Sequence, residues 1–343
     1  MFRRTCFAWL LAALLPGTLL AKEEPAAVLV DAAFKPAEQA GKLLAVTEAQ
    51  ALKGVKRVVV PLFSVEFVTA DSMRAETSGF GAAGRASAAA YYKLTGVGEA
   101  EFQAMTEALY AGFVRELQAA GLEVLPQAQL AASPIYRKLA ASGSAAPIRN
   151  DASLVMAPAG MAIYGLNKAQ ATGGGGGLFS ALSAMGNVAS AMGAVMDTAE
   201  LHKELGAAVL EVQMRVHFVQ LTNNNKGFLG RMAGSASVGA QVFPRIAMAT
   251  LSVHRDTRGT LSLTGPLALD PAAFTEVRKA PTTAGDVAAG VATALIRLAS
   301  NSRDSSSSEE LLAVADPARY RDIVGAGLAG VNEMFITRLR AGE

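Results

Sequence analysis

The chain has 343 residues, of which 51% are hydrophobic and 17% charged, with a formal net charge of +2. That length and apolar content exclude whole-chain disorder and a collagen repeat, and a single cysteine excludes a disulfide scaffold. A near-neutral chain without a dense Lys/Arg cluster has no basic field for phosphates, so nucleic acid is excluded as a partner.

Residues 1–21 read as an export signal. Arg3 and Arg4 supply the positive start, Phe7 to Leu15 is apolar, and small residues end at Ala21 ahead of Lys22-Glu23-Glu24. An uncleaved membrane anchor is the competing reading, and the apolar run is short for it. Cleavage removes two arginines, so Lys+Arg falls from 31 to 29 and equals the 29 Asp+Glu, leaving a neutral mature chain. Cys6 and Trp9 leave with the signal. The mature chain then has no disulfide, and Cys6 is not placed for lipid attachment.

Pro36 to Ala51 reads as a helix. Lys56 to Val68 has the β-branched and aromatic content of a strand, and Pro61 implies an edge or a bend. A Gly/Ser/Ala-rich stretch, 70–90, leads to a returning strand at Tyr91 to Leu94. The clearest helix is Glu99 to Ala120, where Phe102, Met105, Leu109, Phe113 and Leu117 share one face and Gly121 ends the run. Leu122 to Leu125 reads as a short strand, Gln127 to Ser142 as a helix interrupted at Pro134, and Ser153 to Leu166 as strand-like near Met161 to Tyr164. This alternation predicts an α/β unit over 22–168.

Residues 169–196 carry no charge and include Gly173 to Gly177, a flexible link. Beyond it, Leu178, Leu182, Met185, Ala189, Met192 and Met196 are spaced as the seam of a packed helix, and Gly186, Ser190 and Ala194 form a stripe of small residues. The candidate interaction surface is therefore Leu178, Leu182, Met185, Gly186, Ser190, Met192 and Ala194. Packing within the chain, a subunit contact and a membrane contact all fit this pattern.

From Val209 the period changes to two. Leu210, Val212, Met214, Val216 and Phe218 point one way, and Glu211, Gln213, Arg215 and His217 the other. Ser235 to Val242, Ile246 to Arg255 and Thr260 to Leu267 continue an antiparallel meander, with a turn at Asp256-Thr257-Arg258-Gly259. A membrane barrel strand shows the same alternation as a half-buried sheet; the half-buried sheet is the reading adopted. The tail reads as two helices, Asp286 to Ala299 and Pro317 to Arg340, the latter with Val324, Leu328, Val331, Phe335 and Leu339 inward. Ser300 to Glu310 reads as a polar linker. The expected fold class is α/β (α+β), a mixed N-terminal unit followed by an antiparallel meander and C-terminal helices. Its divisions are 1–21, 22–168, 169–208, 209–299, 300–310 and 311–343.

Chemical motifs are sparse. Gly79-Phe80-Gly81-Ala82-Ala83-Gly84 fits G-x-G-x-x-G but follows no strand directly, and Tyr164 with Lys168 is badly spaced from it, so no nicotinamide site is expected. The three histidines, His202, His217 and His254, form no zinc motif. His217 and His254, with Asp256, would make an acid–base or metal site if they met across neighbouring strands. No G-x-S-x-G elbow occurs. No catalytic, cofactor or metal residues are assigned.

The strand Val58-Val59-Val60-Pro61-Leu62-Phe63, the helix end Leu117-Gln118-Ala119-Ala120-Gly121, the short strand Leu122-Glu123-Val124-Leu125, the long strand 209–221 and the C-terminal helix follow a familiar order. It resembles the periplasmic domains of the curli-secretion channel family and of flagellar outer-membrane assembly proteins, loosely over 55–221. Channel subunits of the curli type are lipoproteins and this chain lacks the acylated cysteine; the insert 169–196 has no counterpart. The resemblance implies an oligomeric envelope assembly factor and carries over no site residues.

The expectation is an exported, non-enzymatic envelope protein, periplasmic or associated with the outer membrane. It would act in assembly or secretion by contact with itself, with envelope proteins or with the outer membrane, without a cofactor. The alternatives are a periplasmic small-ligand binding module and a secreted hydrolase.

Overall fold

Runs of β-branched and aromatic residues place the central strands, and 3.6-residue periodicity places the helices that cover them. The computed structural model describes residues 27–77, 86–164, 193–223, 236–280, 289–290, 296–300 and 306–342. In chain order the main elements begin with α1 (Pro36–Leu43), β1 (Leu44–Thr47), β2 (Arg57–Val68), β3 (Ala70–Thr77), β4 (Ala86–Thr95) and α2 (Glu99–Ala119). Next come α3 (Gln127–Ala132), α4 (Pro134–Ser142), β5 (Ser153–Met156), α5 (193–205), β6 (Ala208–Asn223) and β7 (Ala236–His254). The chain closes with β8 (Arg258–Leu263), β9 (Phe274–Lys279), β10 (Ile296–Ser300), β11 (Ser306–Ala315) and α6 (Pro317–Arg340). The fold is α+β. The export signal, the G-x-G-x-x-G stretch, Lys168 and the glycine run lie outside the described residues.

Two sheets organise it. In the larger, β2 is central, parallel to β6 on one side and antiparallel to β5 on the other. β6 pairs antiparallel with β7 along nearly its whole length. The outer side of β7 then takes three partners in succession. Arg258–Ser262 of β8 pairs at one end, Leu267–Ala268 pairs beside Arg245 and Ile246, and β10 pairs at Ala236–Ala240. The smaller sheet runs in the order Ala289–Gly290, β9, β11, β4, β3, with β11 and β4 parallel.

Pro61 sits inside the sheet, not at an edge. A register shift against β6 between Val209 and Glu211 takes it out of the ladder, so its missing N–H leaves no bond unmade. Pro244 is accommodated the same way. β7 is one strand where the sequence reads as two, because the shift between His217 and Val219 absorbs Phe243 and Pro244 as a bulge. The predicted helix 286–299 is corrected where it is described, with Ala289–Gly290 and Ile296–Ser300 as strands, the latter against Ala236–Ala240; 286–288 and 291–295 lie outside the described residues. The serine-rich linker is corrected too, since Ser306–Ser308 pair with Ser87–Ala89 inside the smaller sheet. In both places, and in the Ala/Ser-rich β3 and β4, pairing to a neighbouring strand outweighs weak local β preference. The helix expected over Pro36–Ala51 stops at Leu43, where Leu44–Thr47 turns to pair with β8.

α2 and α6 cover one face of the larger sheet. All five residues assigned to the inner face of α2 are buried, as are Val324, Leu328, Val331, Phe335 and Leu339 of α6. Phe67 stacks on Phe102 with ring centroids 4.2 Å apart, and Phe63 meets Phe113 and Tyr110. Glu101 accepts a hydrogen bond from Gly98 N–H at 3.0 Å at the start of α2, and Asp316 accepts one from Arg319 N–H at 2.9 Å at the start of α6. A Cβ at Gly327 would lie 2.7 Å from Leu269 Cδ2, so the absence of a side chain lets α6 approach the sheet.

Candidate functional site

The second face of the larger sheet carries the chemistry-bearing side chains. β2 and β6 alternate, so Phe63, Val65, Phe67, Val212, Met214 and Val216 turn toward α2 while Glu66, Glu211, Gln213, Arg215 and His217 turn the other way. Two polar clusters result.

The first lies under α5. His254 Nε2 is 2.9 Å from Glu211 Oε2, and Thr198 of α5 donates to Glu211 Oε1 at 3.3 Å. Arg258 donates to Ser252 at 3.1 Å beside them. Burial by itself raises the Glu211 carboxyl, but the hydrogen bond and charge of His254, joined by Arg258, outweigh it and hold the group below the ordinary carboxylate range. Burial, with the Glu211 charge adding to it, pushes the Tyr164 phenol well up. His254 is only 3% exposed at its side chain. The dyad links α5 to the sheet.

The second cluster lies farther along β6. Arg215 Nε donates to Glu66 Oε2 at 2.6 Å, and Ser153 Oγ donates to Glu66 Oε1 at 2.8 Å. His217 Nδ1 is 3.7 Å from Asp71 of β3, so this cluster spans the two sheets. Burial first, then the guanidiniums of Arg245 and Arg215, lower the His217 pKa to about 4 despite Asp71. A neutral imidazole of that basicity is a weak general base at neutral pH.

The histidines do not meet. His254 is opposite Val209 and His217 opposite Arg245, so eight residues of β6, about 26 Å, separate them. Asp256 is exposed in the turn after β7 and joins neither cluster. Among the described residues no group of three or more His, Cys, Asp or Glu is arranged to hold a metal ion.

Of the predicted interaction surface, Leu178, Leu182, Met185, Gly186, Ser190 and Met192 lie outside the described residues. Ala194 is described. It is buried with Thr198 and Leu201 on the inner side of α5, while Met196, assigned to the packing seam, is 68% exposed. Ala194 turns inward because α5 lies against the polar face of β6, where a short side chain permits close approach.

Outward-facing features are the sheet edges. β3 pairs only with β4, and among the described residues no strand lies on its outer side. Tyr91 of β4, opposite Ser72, is half exposed. With Asp71, Ser72, Lys93 and Glu310 it lines a hollow of about 380 Å³. The strand Val28–Leu29 forms another edge and exposes both side chains. Among the described residues no helix is long and apolar enough to cross a membrane. Comparison with protein-family models, curated proteins and solved structures finds no match to the chain.

The sequence identified the polar period of β6 but not its partners. Glu66 and Tyr164 gave no spacing signal, since each reaches its cluster through strand pairing or a loop.

Proposed function

We propose that the chain is exported and acts in the cell envelope as a non-enzymatic assembly or secretion component, associating through its sheet edges with copies of itself or with envelope proteins. The outer edge of β3 carries the reading: among the described residues no strand pairs with that side of the eight-residue strand, and an edge of this kind is where another strand adds. The polar clusters support it from the other side, since Glu211–His254 and Glu66–Arg215 satisfy each other and join elements of the fold. The resemblance in element order to the curli-secretion channel family points to the same class of role.

The test is the mass of the mature protein from fractionated envelope, by light scattering after size exclusion, for the natural chain and for Ser72→Lys. Ser72 is exposed, and a lysine on an edge strand opposes further pairing. A defined oligomer that Ser72→Lys reduces to monomer, with unchanged thermal unfolding, is the expected result. A monomeric natural chain in the soluble periplasmic fraction overturns the reading.

A further inference from the structure

The bend in the long hairpin opens a second feature, away from β3. At the bulge holding Phe243 and Pro244, the Pro244 carbonyl accepts Leu269 N–H at 2.8 Å, and the hairpin creases. The crease is a hollow of about 420 Å³ lined by Leu29, Gln220, Gln241, Phe243, Leu269 and Pro271, among others. Gln220 and Gln241 are directly opposite in the hairpin register. Among the described residues its lining contains no Lys, Arg, Asp or Glu.

The lip of the hollow is the edge strand Val28–Leu29, parallel to Leu267–Ala268. Val28 N–H donates to Pro266 O at 2.9 Å and Val30 N–H to Ala268 O at 2.8 Å. The pleat therefore turns the N–H and C=O of Leu29 outward, where neither has a partner among the described residues. The Leu29 side chain is 59% exposed beside them.

We propose that this edge and hollow form a docking site for an extended, uncharged segment of a partner polypeptide, added as a strand along Leu29 with alternate side chains in the crease. One outward donor and one outward acceptor on an edge strand match a polypeptide backbone. Two neutral amides serve a backbone amide, whereas a phosphate or carboxylate calls for a cation in the lining and an ammonium calls for an anion. Docking here does not require β3, so a Ser72→Lys chain retains it, and its loss is distinguishable from loss of the oligomer.

The probe is the acetylated, amidated pentapeptide Val-Thr-Val-Thr-Val carrying a fluorophore, read by polarisation against the full mature chain. Leu29→Pro removes the outward N–H while Val28 and Val30 keep their sheet bonds. Leu29→Lys changes an exposed side chain only, and covers the case in which the proline variant fails to fold. Saturable binding that Leu29→Pro or Leu29→Lys weakens about tenfold or more, and Gln241→Leu to a lesser degree, is expected. No saturation up to about 1 mM peptide, or equal binding by a folded Leu29 variant, overturns the proposal. Displacement of the peptide by octyl glucoside makes the occupant an alkyl chain and overturns it as well. So does a dimer that Leu29→Lys dissociates, which would make the occupant a second copy.

Discussion

One face of the larger sheet is closed by Phe63, Phe67, Val212 and Val216 against α2 and α6; the other is closed by ion pairs and hydrogen bonds under α5 and toward β3. Apolar contact is non-directional and scales with area, so the first face supplies cohesion and tolerates small slides. Charged pairs demand one geometry. Because Arg215 is directly opposite Glu66 in the β2–β6 register, a one-residue slip would carry Arg215 to the apolar face and strand it there. The same two strands thus carry cohesion on one side and alignment on the other.

The division predicts different mutational behaviour. Phe67→Ala removes a stacked ring from the apolar face and costs about 4 kcal/mol in urea unfolding, with the strand register intact by hydrogen exchange. Glu211→Leu leaves the buried His254 Nε2 without its partner, while Thr198 keeps its bond to Ala194 O, and costs about 3 kcal/mol. Adding His254→Leu then recovers much of that loss, since replacing both partners with apolar groups removes the stranded polar group. If the double variant is less stable than the single one by the full cost of a second substitution, the pair contributes cohesion itself and the comparison fails.

The apolar face was legible in the sequence; of the polar face the β6 residues were legible, and what covers them was not. The inner residues of α2 and α6 announce themselves by spacing, because a helix reports its buried side every three or four residues. The β6 alternation likewise separated its two faces. What lay over the polar set depended on α5 and on long-range partners such as Glu66, 149 residues from Arg215, and Asp71. No local pattern encodes those. Ile296–Ser300 and Ser306–Ser308 failed for the same reason: composition suggested helix and linker, and neighbouring strands decided otherwise.

Acid distinguishes the faces without mutation. His217 has a folded pKa of about 4 against 6.5 for the free side chain, so the unfolded chain takes up the proton first. Stability is then full above about pH 6.5 and is lost as the pH falls toward 4, by roughly 2 kcal/mol between pH 7 and 4.5. Asp71 at 3.7 Å opposes that loss, and Arg215 and Arg245 sustain it. Urea midpoints for His217→Phe should show a shallower dependence over this interval. An unchanged slope would place the acid sensitivity elsewhere.

The smallest effect tests whether cover, and not ion pairing as such, gives the polar face its weight. Arg149, at the end of a short edge strand, holds Glu99 in the first turn of α2 with Nη2 2.6 Å from Oε2 and 2.9 Å from Oε1. Its shortest contact, 2.6 Å, equals that of Arg215 on Glu66, but its side chain is 62% exposed and that of Glu99 44%, against 27% and 14% in the covered pair. Water competes for the exposed pair and salt screens it, so Arg149→Ala should change stability by less than about 1 kcal/mol. That residue of stability should shrink further at high ionic strength. Arg215→Ala should cost more and respond less to salt, because Glu66 stays covered, with Ser153 still donating to it but the guanidinium gone. Equal losses for the two arginines, with equal salt dependence, would mean that the sheet's second face is held by surface-like pairs and that its register rests on the apolar side alone.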